Sequence, residues 1–135
     1  MSDINVMDAS AILALLQAGK GYEAVTTAML ERSSAISAVN YCEVIGKLRE
    51  KGMPADDAER SVSDLQLRLI DFDQAAAIEA GELRVKTKGI GASLGDRACL
   101  ALAARFLEAG DTPHVVTAER NWEKVSWPFK IHNIR

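Results

Sequence analysis

The chain contains no run of about 18 apolar residues, so nothing in it reads as a membrane-spanning helix. Its start, MSDINVMDAS, lacks the basic region and long apolar core of a secretory signal, and a cytoplasmic protein is expected. Cysteine is scarce. Cys42 and Cys99 form no C-x-x-C pair, which removes a disulfide framework and a zinc knuckle, and both lie in apolar helical patterns as expected core thiols. Histidine is equally scarce: His114 and His132 fall in strand-like runs without a Cys or Ser partner at a recognisable spacing, so a nucleophilic triad or zinc site lacks its parts. The glycine-bearing stretch Gly89-Ile-Gly91-Ala-Ser-Leu-Gly95 has no Lys-Ser/Thr after it and is not a P-loop; it reads as a flexible rim. With 135 residues, 48% of them hydrophobic and 5% aromatic, the chain can build one compact core and is too short for a two-domain enzyme.

Positive charge is also in deficit. Sixteen Lys and Arg stand against 19 Asp and Glu, a net charge of -3 that by itself argues against a polyphosphate partner. The distribution is uneven, however. Between Leu83 and Arg97 the chain carries Arg84, Lys86, Lys88 and Arg97 against the single acid Asp96, which describes either a basic lip or a solvated loop and helix end.

The patterning alternates strand and helix. Ile4 to Met7 is a short strand, and Asp8-Ala-Ser opens a helix through Ala11 to Leu16. Gly21 to Arg32 reads as a second helix, and Ala35 to Ser37 as a short extended piece. Tyr41, Val44, Ile45 and Leu48 then recur at helical spacing, with Gly52 as the stop. Pro54 and the acids after it start a helix running to about Leu67. Arg68 to Asp71 is a strand and Asp73 to Val85 an alanine-rich helix. Lys86 to Gly95 is a loop, followed by a helix whose Cys99, Leu100, Ala103, Phe106 and Leu107 share a face and which Gly110 closes. His114 to Thr117 is a buried strand, Glu119 to Lys124 one helical turn, and Lys130 to Ile134 an edge strand. Five short strands separated mostly by helices predict an α/β fold with a mainly parallel sheet covered on both faces.

In such sheets, ligands bind beyond the carboxyl ends of the strands. Asp8 follows the first strand directly and Glu119 lies two residues past the fourth; Glu43 and Asp96 sit near the starts of two helices aimed at the same crevice. Two carboxylates about 4 Å apart repel by roughly 4 kcal/mol at an effective dielectric near 20. A group of four without His or Lys therefore calls for a hard divalent cation, Mg²⁺ or Mn²⁺, which can activate water and stabilise a phosphodiester transition state. Each acid also has an ordinary role open to it: Asp8 as a helix cap, Asp96 as a first-turn acid, Glu43 and Glu119 as surface charges. Asp8-Ala-Ser10 lacks the second acid of a phosphoryl-aspartate site, which ranks a phosphatase low.

Four segments together resemble the PIN-domain ribonucleases, in particular the small VapC-type toxins of toxin-antitoxin pairs. They are Val6-Met-Asp8-Ala-Ser10-Ala-Ile-Leu, Ser37-Ala-Val-Asn-Tyr-Cys-Glu43-Val, Ser93-Leu-Gly-Asp96-Arg-Ala-Cys-Leu-Ala-Leu-Ala, and Val115-Val-Thr117-Ala-Glu119-Arg-Asn-Trp. The resemblance spans nearly all of residues 1–135 as a single PIN domain and implies a three-layer α/β/α sandwich. It also implies Mg²⁺- or Mn²⁺-dependent endoribonuclease activity on tRNA or ribosomal RNA. By motif, Asp8, Glu43 and Asp96 correspond to the metal-holding acids, Thr117 to a hydroxyl beside the site, and Ser10 to a similar support behind Asp8. Glu119 stands where Asp is usual, so its part as a fourth catalytic and metal-binding acid depends on a longer reach. Arg84, Lys86, Lys88, Arg97 and Arg120 are the expected holders of the RNA backbone. A VapB-type antitoxin and a homodimer are the implied protein partners. Ile12, Leu13, Leu16, Tyr22, Val25, Met29 and Leu30 on the first two helices serve either that partner or the core. A module of this kind that has lost catalysis and only binds protein or RNA is the alternative.

Overall fold

The computed structural model describes residues 2–135, and among them five strands alternate with six α-helices. The strands are β1 (Asp3–Met7), β2 (Ser33–Ser37), β3 (Arg68–Ile70), β4 (Thr112–Thr117) and β5 (Lys130–Asn133). The helices are α1 (Ala9–Leu16), α2 (Tyr22–Glu31), α3 (Ala38–Glu50), α4 (Ala55–Ser63), α5 (Gln74–Lys86) and α6 (Leu94–Glu108). The sheet order is β3-β2-β1-β4-β5 and all four pairings are parallel, so every strand delivers its carboxyl end to the same edge.

Alternation along the two central strands builds the layers. Met7 and Val116 face α1 to α4 and join Ile12, Val25, Ile36, Val44 and Leu48 in one core. Val6 and Val115 point the other way and pack with Cys99, Leu100, Leu102, Ala103 and Trp122. The result is the expected α/β/α sandwich, and the polar side chains that β1 and β4 carry into it are bonded inside: Asn5 Nδ2 donates to the Ala28 carbonyl at 2.8 Å, and His114 Nε2 lies 2.8 Å from Asp3 Oδ1.

Three local expectations are corrected. Cys42 is exposed and is not a core thiol, because the stripe of α3 that turns inward runs through Val44 and Leu48 and leaves position 42 outside it. The helix expected to reach Leu67 ends at Ser63. Gln66 takes a left-handed φ of 57°, and the turn it makes lets Leu65 and Leu67 pack on the core from outside the helix. The expected loop from Lys86 to Gly95 is shorter, since α5 keeps Lys86, a 3-10 turn occupies Lys88–Ile90, and Leu94 already starts α6.

On the first two helices Ile12 and Val25 are fully buried, whereas Leu30 is 84% exposed. The apolar residues there divide between the core and the surface. Gly21 closes the turn before α2 with φ 88°; a β-carbon at this position would collide with the backbone of Ile134, which fixes the chain end beside α2.

Candidate active site

The carboxyl end of β1 carries Asp8, and the end of its neighbour β4 carries Thr117. Asp8 occupies the N-cap position of α1 with extended backbone angles, yet its side chain makes no capping bond. The ordinary role open to it is therefore not the one it takes. Its Oδ2 instead accepts hydrogen bonds from Ser10 Oγ at 2.6 Å and Thr117 Oγ1 at 2.9 Å. Both hydroxyl oxygens in turn accept a backbone N–H: Ala118 donates to Ser10 Oγ and Glu119 to Thr117 Oγ1, each at 2.9 Å. With their acceptor sides occupied by amides, the two hydroxyls direct their protons to Asp8. Asp8 is 4% exposed, and the pKa of its carboxyl group is pushed up to about 6. Burial is the main cause, opposed by the two hydroxyl bonds and reinforced by the negative charges of Asp96 and Glu43.

Glu43 comes from the second turn of α3. Three residues before it on the same face, Asn40 is fully buried and its Nδ2 donates to Glu43 Oε1 at 3.1 Å and to the carbonyl of Gly95 at 3.0 Å. One amide thus ties the acid of α3 to the first turn of α6. Gly95 leaves room for the contact, because a β-carbon there would come within 2.6 Å of Glu43 Cδ and overlap its carboxylate oxygens. Burial raises the pKa of Glu43, the Asn40 bond lowers it, and the charge of Asp96 raises it again.

Asp96 lies in the first turn of α6 within a capping box. Ser93 Oγ accepts from the Asp96 amide at 3.1 Å, and the Ser93 amide donates to Asp96 Oδ2 at 2.9 Å. One turn further on, the thiol of Cys99 is fully buried and its pKa is raised well above the ordinary range, by burial first and then by the charges of Asp8, Asp96 and Glu43. That thiol sits in the field of these three acids.

Each of the three acids shares a pattern. One oxygen is committed to an internal donor, while no hydrogen bond among the described residues reaches Asp8 Oδ1, Glu43 Oε2 or Asp96 Oδ1. Three unclaimed carboxylate oxygens are the hard donors that Mg²⁺ and Mn²⁺ take, so the donor set fits such an ion. Among the described residues no three His, Cys, Asp or Glu side chains stand close enough to cage an ion as they are.

Glu119 is exposed, and its charge is not among those acting on Asp8. Its backbone is held by Thr117 Oγ1 and by Asn133, whose Nδ2 donates to the Glu119 carbonyl at 3.0 Å. The fourth acid therefore stands at the rim. Of the five expected basic residues, Arg84, Lys88 and Arg97 line one cleft, while Lys86 turns to Trp127, with Nζ 4.4 Å from the ring centroid. Arg120 is exposed beside Glu119. Arg97 is only 9% exposed and donates from Nη1 to the Ala80 carbonyl at 3.1 Å, tying α6 to α5. Nothing in composition or motif marks Asn40 and Gly95 as part of the site. The spacing of Asn40 three residues before Glu43 was the available signal, since on a helix it puts an amide beside the acid.

The family described as PIN domain matches residues 6–128. A search of curated proteins finds no match. Solved structures with the same fold include that of VapBC2 from Rickettsia felis bound to a DNA fragment from its promoter, at 17% identity over 96% of this chain and 98% of that one, with a TM-score of 0.69. DNA-bound VapBC from Salmonella typhimurium is similar at 20% identity over the whole of both chains, with a TM-score of 0.67. VapBC-1 from nontypeable Haemophilus influenzae is similar at 14% identity over 97% of this chain and 98% of that one, with a TM-score of 0.69.

Proposed function

This chain belongs to the PIN domain family, and from that premise we propose that it is a metal-dependent endoribonuclease, the toxin of a toxin-antitoxin pair, acting in the cytoplasm on tRNA or ribosomal RNA to halt translation and growth. The observation that carries the reading is the set of three acids, from the end of β1, from α3 and from α6, each held by one oxygen and open at the other.

Asp8, Glu43 and Asp96 would hold Mg²⁺ or Mn²⁺. Such an ion supplies a lowered pKa for water and neutralises charge on a phosphodiester in its transition state. The residues of the chain do the positioning. Ser10 and Thr117 fix Asp8 through Oδ2 and leave Oδ1 without an internal hydrogen bond, Asn40 holds Glu43 against Gly95, and the Ser93 amide holds Asp96. Glu119 at the rim assists as a base or as a further ligand by swinging inward.

The solved neighbours are VapBC complexes, and that likeness supports a VapB-type antitoxin as partner; a homodimer belongs to the same proposal. The exposed Leu30 and the half-exposed Tyr22 of α2 give such a partner an apolar hold.

Calorimetric titration with Mn²⁺ at pH 7.5 tests the site directly. The native chain is expected to bind Mn²⁺, Asp8→Asn and Asp96→Asn to abolish binding, and Glu119→Gln to weaken it by less than about tenfold, in keeping with its place at the rim. Absence of ion binding in the native chain would support instead a module that binds a protein or RNA without cutting it.

A further inference from the structure

A cleft of about 810 Å³ opens between the end of α5, the loop after it and the start of α6. Its walls carry Arg84, Lys88 and Arg97 and no acid. None of these cations forms an ion pair among the described residues: the paired arginines and lysines are Arg32, Lys47, Arg60 and Arg105. Arg97 is the anomaly. It is more than nine-tenths buried, permanently charged, and its Nε has no hydrogen-bond partner. A buried cation without a counter-charge is costly, and an anion in the cleft would offset that cost.

A second observation is independent of charge. Gly81 lies inside α5 and lines the same cleft, yet a β-carbon there would meet nothing within 4 Å. Glycine inside a helix costs about 1 kcal/mol relative to alanine, and here no packing contact requires it. Its evident effect is to keep the wall bare for a ligand's close approach. The volume is that of a small-molecule site and far exceeds a single phosphate. Val85, 84% exposed on the same wall, adds apolar surface suited to a ribose or base.

We propose that this cleft binds one nucleotide of single-stranded RNA, with its phosphate against Arg84, Lys88 and Arg97 and its sugar and base over Gly81 and Val85. The proposal rests on the nuclease reading and deepens it, since Arg97 adjoins Asp96 and Ser93 both lines the cleft and caps that acid. A nucleotide seated here places a neighbouring phosphodiester towards the three acids.

The test is fluorescence-anisotropy binding of a labelled single-stranded RNA dodecamer in EDTA, where no cleavage competes. Arg84→Gln with Lys88→Gln, both exposed positions, should weaken binding at least tenfold and lower the salt slope by about 0.7, the value for one phosphate contact on a single strand. Gly81→Leu should weaken it similarly with the charges intact, and its unchanged melting temperature would separate blockage from misfolding. Lys20→Gln, which removes an exposed cation outside the cleft, should bind RNA as the native chain does. Unchanged affinity in both cleft variants would overturn the proposal, as would displacement of the RNA by poly-glutamate at lower concentration than by unlabelled RNA, which would point to an acidic protein segment. RNA binding that depends on the cleft, in a chain that never cuts RNA with any divalent ion, would remove the nuclease reading and leave this one standing.

Discussion

Asp8→Asn is expected to melt several degrees above the native chain at pH 7.5 in EDTA, while losing all metal-dependent cleavage. The native carboxyl is raised from 3.8 to about 6, so between those values the folded state binds a proton that the unfolded state has released. Stability therefore falls as pH rises through about 6 and is recovered as pH falls towards 4. The penalty at neutral pH is on the order of 2–3 kcal/mol. Asparagine is neutral and nearly the same shape, and its carbonyl can still accept from Ser10 and Thr117. The gain in melting temperature should shrink as the pH is lowered to 4, where the native group is itself neutral. Mn²⁺ should reverse the order by stabilising only the native chain. Calorimetric melting at pH 4 and 7.5, with and without Mn²⁺, reads all of this; a variant less stable than the native chain at pH 7.5 in EDTA would show that Asp8 serves the fold and is not held there for a ligand.

Gly95→Ala separates site from scaffold in a different way. The new β-carbon would overlap the end of the Glu43 side chain, which is flexible and can swing aside, so the fold survives and the acid is displaced. Cleavage should fall about a hundredfold, the scale expected when a catalytic group is misplaced by about 1 Å. The melting temperature should hold or rise, because alanine is the better helix former. Adding Glu43→Ala to this variant should cost little more, since the same contribution is already lost. Full activity in Gly95→Ala would place Glu43 outside the chemistry.

The strands around positions 4, 35 and 115 were legible in the sequence because each carries a short buried apolar set, Ile4 with Val6, Ala35 with Ile36 and Val115 with Val116, while the partly exposed edges around 69 and 131 showed as shorter runs between polar residues. Asp8, Glu43 and Asp96 were legible for a related reason: a residue just past a strand end or just inside a helix start is placed by topology before any packing is known. Glu119 passed the same test and still stands apart, because chain position does not determine where a surface side chain lies. Cys42 shows the limit of periodicity, since one residue of rotation on α3 exchanges core for solvent. Asn40, Gly95 and the buried face of Arg97 were not legible, as each owes its role to contacts between α3 and α6 or between α5 and α6. Such contacts leave no periodic trace.

RNA cleavage by this chain should require the three acids and a divalent ion. The direct measurement is incubation of the antitoxin-free chain with total tRNA and ribosomal RNA in Mg²⁺ or Mn²⁺, beside an EDTA control and the Asp96→Asn variant. Discrete fragments are expected with the native chain and either metal, and none in the two controls. Fragments that persist in EDTA or with Asp96→Asn, or a folded chain that binds Mn²⁺ and cuts no RNA, would contradict it.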